Sequence, residues 1–225
     1  MASTVRKTNW FAIWVSVAAV VALVVVTAVV ININTAASGP GADPKGKIID
    51  TDAGAVTFGD GDNVIETYVD FLCPICHEFE KAEGPAIKQL VDGGKATLKV
   101  HPVAILDEYT SPKGYSSRAA SAFYAVAAAD PDKAYAFMQA MYENQPGENS
   151  AGLTDEQIVQ IAKDAGVNVT ADLEKAITSN RYQKYVQAHG LAEGMRGTPT
   201  LVINGEIAPI SQQMDPNTDI LPHLK

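Results

Sequence analysis

The chain contains two cysteines, Cys73 and Cys76, and only two residues separate them. A C-x-x-C spacing is used by zinc sites and by redox sites. A structural zinc ion requires four ligands, but there is no second cysteine pair and the four histidines are scattered along the chain. We therefore expect the pair to carry redox chemistry, with no metal bound.

The predicted secondary structure gives the two cysteines different environments. Residues 65–72 are rich in β-branched and aromatic side chains, which predicts a buried strand running into Cys73. A helix is predicted over residues 77–90, with a kink at Pro85. Cys73 would lie near the helix start, where unpaired backbone N–H groups and the helix dipole stabilise a thiolate. We expect Cys73 to be the attacked cysteine, and the more shielded Cys76 to be the resolving one.

The same motif allows a second interpretation, because residues 73–77 also read C-x-x-C-H, the attachment sequence of c-type haem. His77 would then be one axial ligand and a methionine the other. The methionines available after the motif are Met138, Met141, Met195 and Met214. The buried strand that precedes the motif argues against this electron-carrier alternative.

The N-terminal region has the composition of a membrane anchor. Residues 10–33 are almost wholly apolar and would form a helix of about 36 Å, enough to cross a hydrocarbon core of about 30 Å. Arg6 and Lys7 precede this run, which predicts a cytoplasmic N-terminus at residues 1–9 and an extracytoplasmic domain after the anchor. A cleaved signal peptide, with small residues at 35–38 near the cut, is the alternative.

The composition after the anchor predicts a linker and then one folded domain. Glycine and proline at residues 34–46 are typical of a linker, so the folded domain is expected at 47–225. The whole chain is 47% hydrophobic, which is sufficient for a large core. It carries 17 basic and 26 acidic residues, a net charge of −9, which argues against a nucleic-acid partner.

The element order predicts an α/β domain interrupted by helices. A second strand is expected within residues 96–106, and Asn204-Gly205 predicts a type I′ hairpin joining 200–203 to 206–208. Thr154 and Gln157 have capping-box spacing. The predicted helices between the strands cover residues 115–129, 130–143, 154–166, 170–178 and 180–195. This helical insertion would occupy about 113–190.

Two motifs resemble those of a known family. Residues 73–80, CPICHEFE, preceded by Asp70-Phe71, resemble the active-site strand and helix of DsbA-like thiol:disulfide oxidoreductases. Residues 197–200, GTPT, followed by LVINGE, resemble the segment that carries the cis-proline in that family. The resemblance covers about 57–210, and the whole chain is similar to a membrane-anchored bacterial member. It implies an α/β thioredoxin-like fold with an inserted helical domain, preceded by one transmembrane helix.

The resemblance also implies roles for individual residues. Cys73 and Cys76 would be catalytic, and the dipeptide between them is Pro74-Ile75. The Thr198 backbone would bind an extended substrate segment, beside a cis Pro199.

The resemblance further implies an activity and partners. The chain would oxidise cysteine pairs of exported proteins without a cofactor. It would pass the electrons to a membrane quinone enzyme that is DsbB-like or vitamin K epoxide reductase-like. A reductase or isomerase would use the same residues.

The chain departs from the family pattern at several positions. Relatives often carry a buried acid where Thr67 stands, and Glu66, one place away on a strand, should face the opposite side. Asp70 is a further candidate to support the cysteines. Ile75 cannot stabilise a thiolate as a histidine at this place does, so we expect a less extreme oxidant. The tail, residues 211–225, contains two prolines and matches the family's closing helix poorly.

Overall fold

The computed structural model describes residues 41–225 together with Trp10, Trp14, Val20 and Val21. Those four residues have helical backbone and exposed side chains. The predicted N-terminus (1–9), anchor (10–33) and start of the linker (34–40) otherwise lie outside the described residues. Within the part that is described, no helix is long and apolar enough to cross a bilayer.

Residues 41–225 contain a six-stranded mixed sheet in the order β1-β2-β4-β3-β5-β6. The strands are Ile49–Asp50 (β1), Ala55–Phe58 (β2), Asn63–Val69 (β3), Ala96–Pro102 (β4), Thr200–Ile203 (β5) and Glu206–Ala208 (β6). Only β3 and β4 pair in parallel, and β3 also pairs antiparallel with β5. The predicted strands at 65–72 and 96–106 thus correspond to β3 and β4. The prediction missed β1 and β2, which are too short to show a pattern.

Strand β3 lies at the centre of the sheet and alternates strictly between its two faces. Its buried residues, Asn63, Ile65, Thr67 and Val69, alternate with partly exposed Val64, Glu66 and Tyr68. The register with both neighbours runs without a bulge. Glu66 is therefore on the face opposite Thr67, as the strand period requires.

Helices lie in the connections from β3 to β4 and from β4 to β5, and one short helix follows β6. They are Pro74–Ala82 (α1), Gly84–Asp92 (α2), Tyr115–Ala129 (α3), Ala134–Glu143 (α4), Asp155–Asp164 (α5), Ala171–Thr178 (α6), Gln183–Ala188 (α7) and Pro216–Asp219 (α8). The prediction of a single kinked helix over residues 77–90 is wrong. The chain instead breaks at Glu83 into α1 and α2, and Pro85 occupies the first turn of α2, where its missing N–H costs nothing.

Five of these helices, α3 to α7, lie between β4 and β5. Helix α3 is buried along most of its length and packs against α4, α6 and α7. The capping box of Thr154 and Gln157 forms as predicted at the start of α5. The helix predicted over 180–195 is present but much shorter, since α7 covers only Gln183–Ala188. Positive φ angles at Asn180 (50°) and Gly194 (85°) are incompatible with a continuous helix.

The hairpin and the tail complete the domain. Asn204 and Gly205 have φ angles of 52° and 86°, the positive values that a type I′ turn needs at both positions. The tail forms only the single turn of α8 and a 3-10 turn at Leu221–His223. Its Ile220 is nevertheless fully buried in the core.

Candidate active site

Cys73 is the N-cap residue of α1, directly after the segment that follows β3. The backbone of Cys73 is extended (φ −69°, ψ 114°), and the helix begins at the next residue, Pro74. The Cys73 carbonyl accepts the N–H groups of Cys76 at 3.1 Å and His77 at 3.3 Å. Both cysteines are free thiols, so the structure represents the reduced form of the pair.

The Cys73 sulfur is surrounded by groups that stabilise its thiolate. The pKa of Cys73 is lowered to about 6, chiefly because the Cys76 thiol donates a hydrogen bond to it, with help from the backbone N–H groups of Cys76 and Ile75. These contacts outweigh the opposing effect of burial. Cys73 retains 6% exposure, enough to be reached by another sulfur.

Cys76 has the opposite character. It is fully buried one turn into α1, and burial together with the neighbouring Cys73 raises its pKa well above the ordinary value. At neutral pH it is therefore a protonated thiol. The two sulfurs differ in reactivity because of position rather than residue type.

The Thr198-Pro199 loop lies against the cysteines although it is far from them in sequence. As a thiol, Cys73 Sγ donates to the Thr198 carbonyl at 3.4 Å. The Thr198–Pro199 peptide bond is cis, as the resemblance implied, and the loop continues into β5 beside β3. A second cis bond, Ser111–Pro112, was not predicted.

Exposed apolar side chains are found around this site. Ile75, in the dipeptide between the cysteines, is 55% exposed, and Pro74 is exposed beside it. Ile105 and Tyr109, which follow β4, are also exposed. This chain segment touches the site through Leu106, which bonds to Asp70.

Asp70 is fully buried three residues before Cys73. Its Oδ1 accepts the Leu72 N–H at 2.8 Å and its Oδ2 accepts the Leu106 N–H at 2.9 Å. Burial raises the Asp70 pKa to about 6, although both amides oppose that shift. Asp70 thus ties the segment before Cys73 to the loop after β4.

Glu66 does not contribute to the cysteine site. It accepts a 2.9 Å hydrogen bond from His101 Nε2, and this contact lowers the Glu66 pKa. The ring of Tyr68 stacks on the same histidine at 4.1 Å. Glu66 lies on the sheet face opposite Thr67, so it does not replace the acid that relatives carry there.

Two glutamine contacts were not predicted from the sequence. Gln145 Nε2 donates to the Phe71 and Cys73 carbonyls, at 3.0 Å each, and so ties the helical insertion to the active-site loop. Gln139 Nε2 donates at 2.8 Å to Glu80, a buried residue of α1. Both glutamines come from a region whose pattern shows only helix and loop, so no local signal could have identified them.

The c-type haem alternative fits this geometry poorly. Covalent attachment would require both thiols to reach one porphyrin, but Cys76 is fully buried. The His77 ring is only partly exposed and lies 6.4 Å from the Tyr142 ring.

Comparison with solved structures identifies close structural relatives. Reduced DsbA from Mycobacterium tuberculosis matches with a TM-score of 0.64 and 31% identity, over 71% of this chain and 87% of that one. Reduced DsbG from the same organism, a disulfide bond oxidoreductase, has 31% identity and a TM-score of 0.64, over 72% and 85% of the two chains. MdbA of Actinomyces oris, a thiol-disulfide oxidoreductase, has 25% identity and a TM-score of 0.63, over 79% and 87%.

Sequence comparison gives a family match and a partial relative. The serine/threonine-protein kinase PknE of Mycobacterium tuberculosis is 32% identical over 119 residues, which is 49% of this chain. The chain spans only 21% of the length of that kinase. A model of the thioredoxin family matches residues 57–220. The chain therefore belongs to the thioredoxin family, and it is a DsbA-like thiol:disulfide oxidoreductase.

Proposed function

We propose that this enzyme oxidises cysteine pairs of exported proteins outside the cytoplasm, with Cys73 as the attacked sulfur and Cys76 as the resolving one. The observation that carries the proposal is the asymmetry of the two thiols. The Cys73 pKa is lowered to about 6, whereas the Cys76 pKa is raised well above its ordinary value. A stabilised Cys73 thiolate favours the reduced enzyme, which makes its disulfide an oxidant.

The oxidation proceeds by two exchange steps. A substrate thiolate attacks Sγ of Cys73 in the enzyme disulfide, the Cys73–Cys76 bond breaks, and Cys76 leaves and takes up a proton. A second substrate cysteine then attacks the substrate sulfur of the mixed disulfide. This step releases Cys73 as a thiolate and leaves the substrate with a disulfide. Two electrons remain on the enzyme cysteines.

Substrate binding through the loop at Thr198 and Pro199 supports a broad substrate range. An extended segment that pairs with backbone atoms requires no particular side chain. The Thr198 carbonyl already lies at 3.4 Å from the Cys73 sulfur, so a segment bound there would present its cysteine at the reactive atom.

The electrons left on Cys73 and Cys76 must pass to another oxidant before the next cycle. We propose a membrane quinone-linked partner, DsbB-like or vitamin K epoxide reductase-like. The apolar stretch at residues 10–33 supports this proposal, because an anchored domain would stay close to a membrane partner.

The reduction potential tests the direction of electron flow. Because the Cys73 thiolate is stabilised, we expect a reduction potential above about −200 mV. Because Ile75 adds no side-chain hydrogen bond to the thiolate, we expect that potential to stay below the roughly −120 mV of the strongest oxidants in the family. Equilibration with glutathione buffers measures it. The variant Ile75→His, which places a donor beside Cys73, should raise the potential, whereas Ile75→Leu should leave it unchanged. A parent value near about −270 mV would indicate a reductase instead.

Protease accessibility tests the location. Arg6 and Lys7 precede the apolar stretch, so the domain should lie outside the cytoplasm. Protease added to intact cells stripped of their wall should digest the chain after Ile33, while a cytoplasmic control protein survives. A domain that stays intact until the membrane is permeabilised would reverse the proposed orientation.

A further inference from the structure

The four residues 70–73 join β3 to α1 and form a buried turn that ends at the reactive cysteine. Asp70, Phe71 and Leu72 are fully buried, and Cys73 is 6% exposed. Buried backbone N–H and C=O groups need hydrogen-bond partners. Because this Cys73 turn lies outside helices and strands, its partners must come from side chains and neighbouring loops, and those partners determine where Cys73 lies.

Asp70 accepts two N–H groups of the Cys73 turn. Its carboxylate accepts the Leu72 N–H at 2.8 Å, and its own carbonyl accepts the Cys73 N–H at 3.0 Å. These bonds fix the donor side of the turn but leave the buried Phe71 carbonyl without a partner in the turn itself. A buried carbonyl without a donor is costly, so this group needs a donor from elsewhere in the fold.

Gln145, in the helical insertion, is that donor. Its Nε2 donates to the Phe71 carbonyl and to the Cys73 carbonyl, at 3.0 Å each. Among residues 41–225 no other group donates to the Phe71 carbonyl. Since the two carbonyls lie on either side of Leu72, a single amide group bridges the turn from outside.

Gln145 is itself held in place beside the turn. Its N–H donates to the Tyr142 carbonyl at 3.0 Å, and Pro146 follows it with a restricted backbone. Tyr142 is buried, and its ring centroid lies 5.2 Å from that of Phe71. The same stretch of the insertion therefore contacts the turn through an aromatic pair and two hydrogen bonds.

The loop after β4 connects the turn and the insertion a second time. Its Leu106 N–H donates to Asp70 at 2.9 Å. Its Tyr109 carbonyl accepts the Asn149 N–H, four residues beyond Gln145, at 2.6 Å. The turn, this loop and the insertion are thus bonded in a closed ring, which limits how far Gln145 can move relative to the turn.

We infer that Gln145 is a positioning residue for Cys73, because its amide holds the two carbonyls that fix the direction of the reactive sulfur. The inference rests on the proposed role of Cys73 as the attacked sulfur. With the turn held, the sulfur stays within reach of its hydrogen-bond donors on α1, the Cys76 thiol and the N–H groups of Cys76 and Ile75. Without the amide, the turn can rotate and the sulfur loses alignment with these donors.

The pH profile of Cys73 alkylation in the reduced enzyme tests this role. Gln145→Met keeps the length of the side chain and removes its donors. Misalignment of a hydrogen bond to the thiolate should raise the Cys73 pKa, about 6 in the parent, by about one unit. The thiolate fraction and the alkylation rate at pH 6 should then fall about fivefold. Gln145→Glu has the same shape but places a carboxylate against two carbonyl oxygens, so its rate should fall further.

Gln183→Met is the matched control. Gln183 is another partly exposed glutamine of the insertion, and its Nε2 donates at 2.9 Å to Ser117 rather than to the Cys73 turn. This variant should lose one hydrogen bond and keep the parent pH profile. Thermal unfolding of each variant separates a loss of stability from a change in reactivity.

The outcomes distinguish the inference from the function on which it rests. If Gln145→Met or Gln145→Glu keeps the parent pH profile, the inference is overturned. An equal shift of the profile in Gln183→Met would also overturn it, because the effect would then be a general result of weakening the insertion. A parent enzyme without a Cys73 thiolate below about pH 8 would instead refute the role proposed for Cys73.

Discussion

Replacement of Cys76 by serine should convert the enzyme into a trap for its substrates. Cys73 would keep its place at the start of α1 and remain a thiolate near neutral pH, because its pKa is lowered to about 6 and a serine hydroxyl can replace the thiol as hydrogen-bond donor. A mixed disulfide formed at Cys73 would have no internal sulfur to resolve it. Turnover should fall to background, while disulfide-linked partners accumulate on non-reducing gels of cell extracts.

The reciprocal variant provides the control. Cys73→Ser leaves only Cys76, which is fully buried and has a pKa raised well above the ordinary value. It should therefore capture few partners, although it too has lost all turnover. Partners captured mainly by Cys73→Ser would show that nucleophile and resolver have been assigned the wrong way round.

The local features around the cysteines are predictable from the sequence because they depend on neighbouring residues. A run of β-branched residues before Cys73 and a proline after it define the strand end and the helix start. The capping box at Thr154 and the Asn204-Gly205 hairpin are equally local, and both form as predicted. These features are specified within about four residues of chain, which is the range of helix caps and tight turns.

Contacts between distant segments were not predictable in this way. The bond from Asp70 to the Leu106 N–H joins residues 36 apart, and Gln145 reaches carbonyls more than 70 residues away. The hydrophobic periodicity of the sequence gives no information about hydrogen bonds between residues so far apart in the chain. The prediction of one helix over 180–195 failed because the backbone becomes extended at His189 (φ −114°, ψ 105°), which ends α7 at Ala188.

Which acidic side chains are buried was also not predictable from the sequence. Thr67 suggested that the carboxyl group beneath the cysteines is absent, and Glu66 is indeed on the other face. The structure places Glu80 among the buried residues of α1, although nothing in the sequence distinguishes it from an exposed helix residue. Glu80 is buried where α4 packs against α1, and it accepts a hydrogen bond from Gln139 of α4.

In the reduced enzyme we expect Cys73 to be alkylated much faster than Cys76. A thiol with a pKa of about 6 is half ionised at pH 6, whereas a free thiol with a pKa of about 8.5 is ionised to only about 0.3%. Cys73 should therefore be alkylated on the order of 100-fold faster at pH 6 than Cys76, whose pKa is raised and whose sulfur is shielded. Cys76→Ala removes the main hydrogen bond to the thiolate, so it should raise the Cys73 pKa.

The thiolate titration of Cys73 tests the account most directly. The ultraviolet absorbance of the thiolate is followed against pH in the reduced parent, and the alkylation rate of each single-cysteine variant is measured over the same range. We predict one ionisation near pH 6, assigned to Cys73 because it is lost in Cys73→Ser, and no ionisation of Cys76 below about pH 9. If no thiolate forms below about pH 8, or if Cys76 is alkylated faster at pH 6, the asymmetry on which the mechanism rests is contradicted.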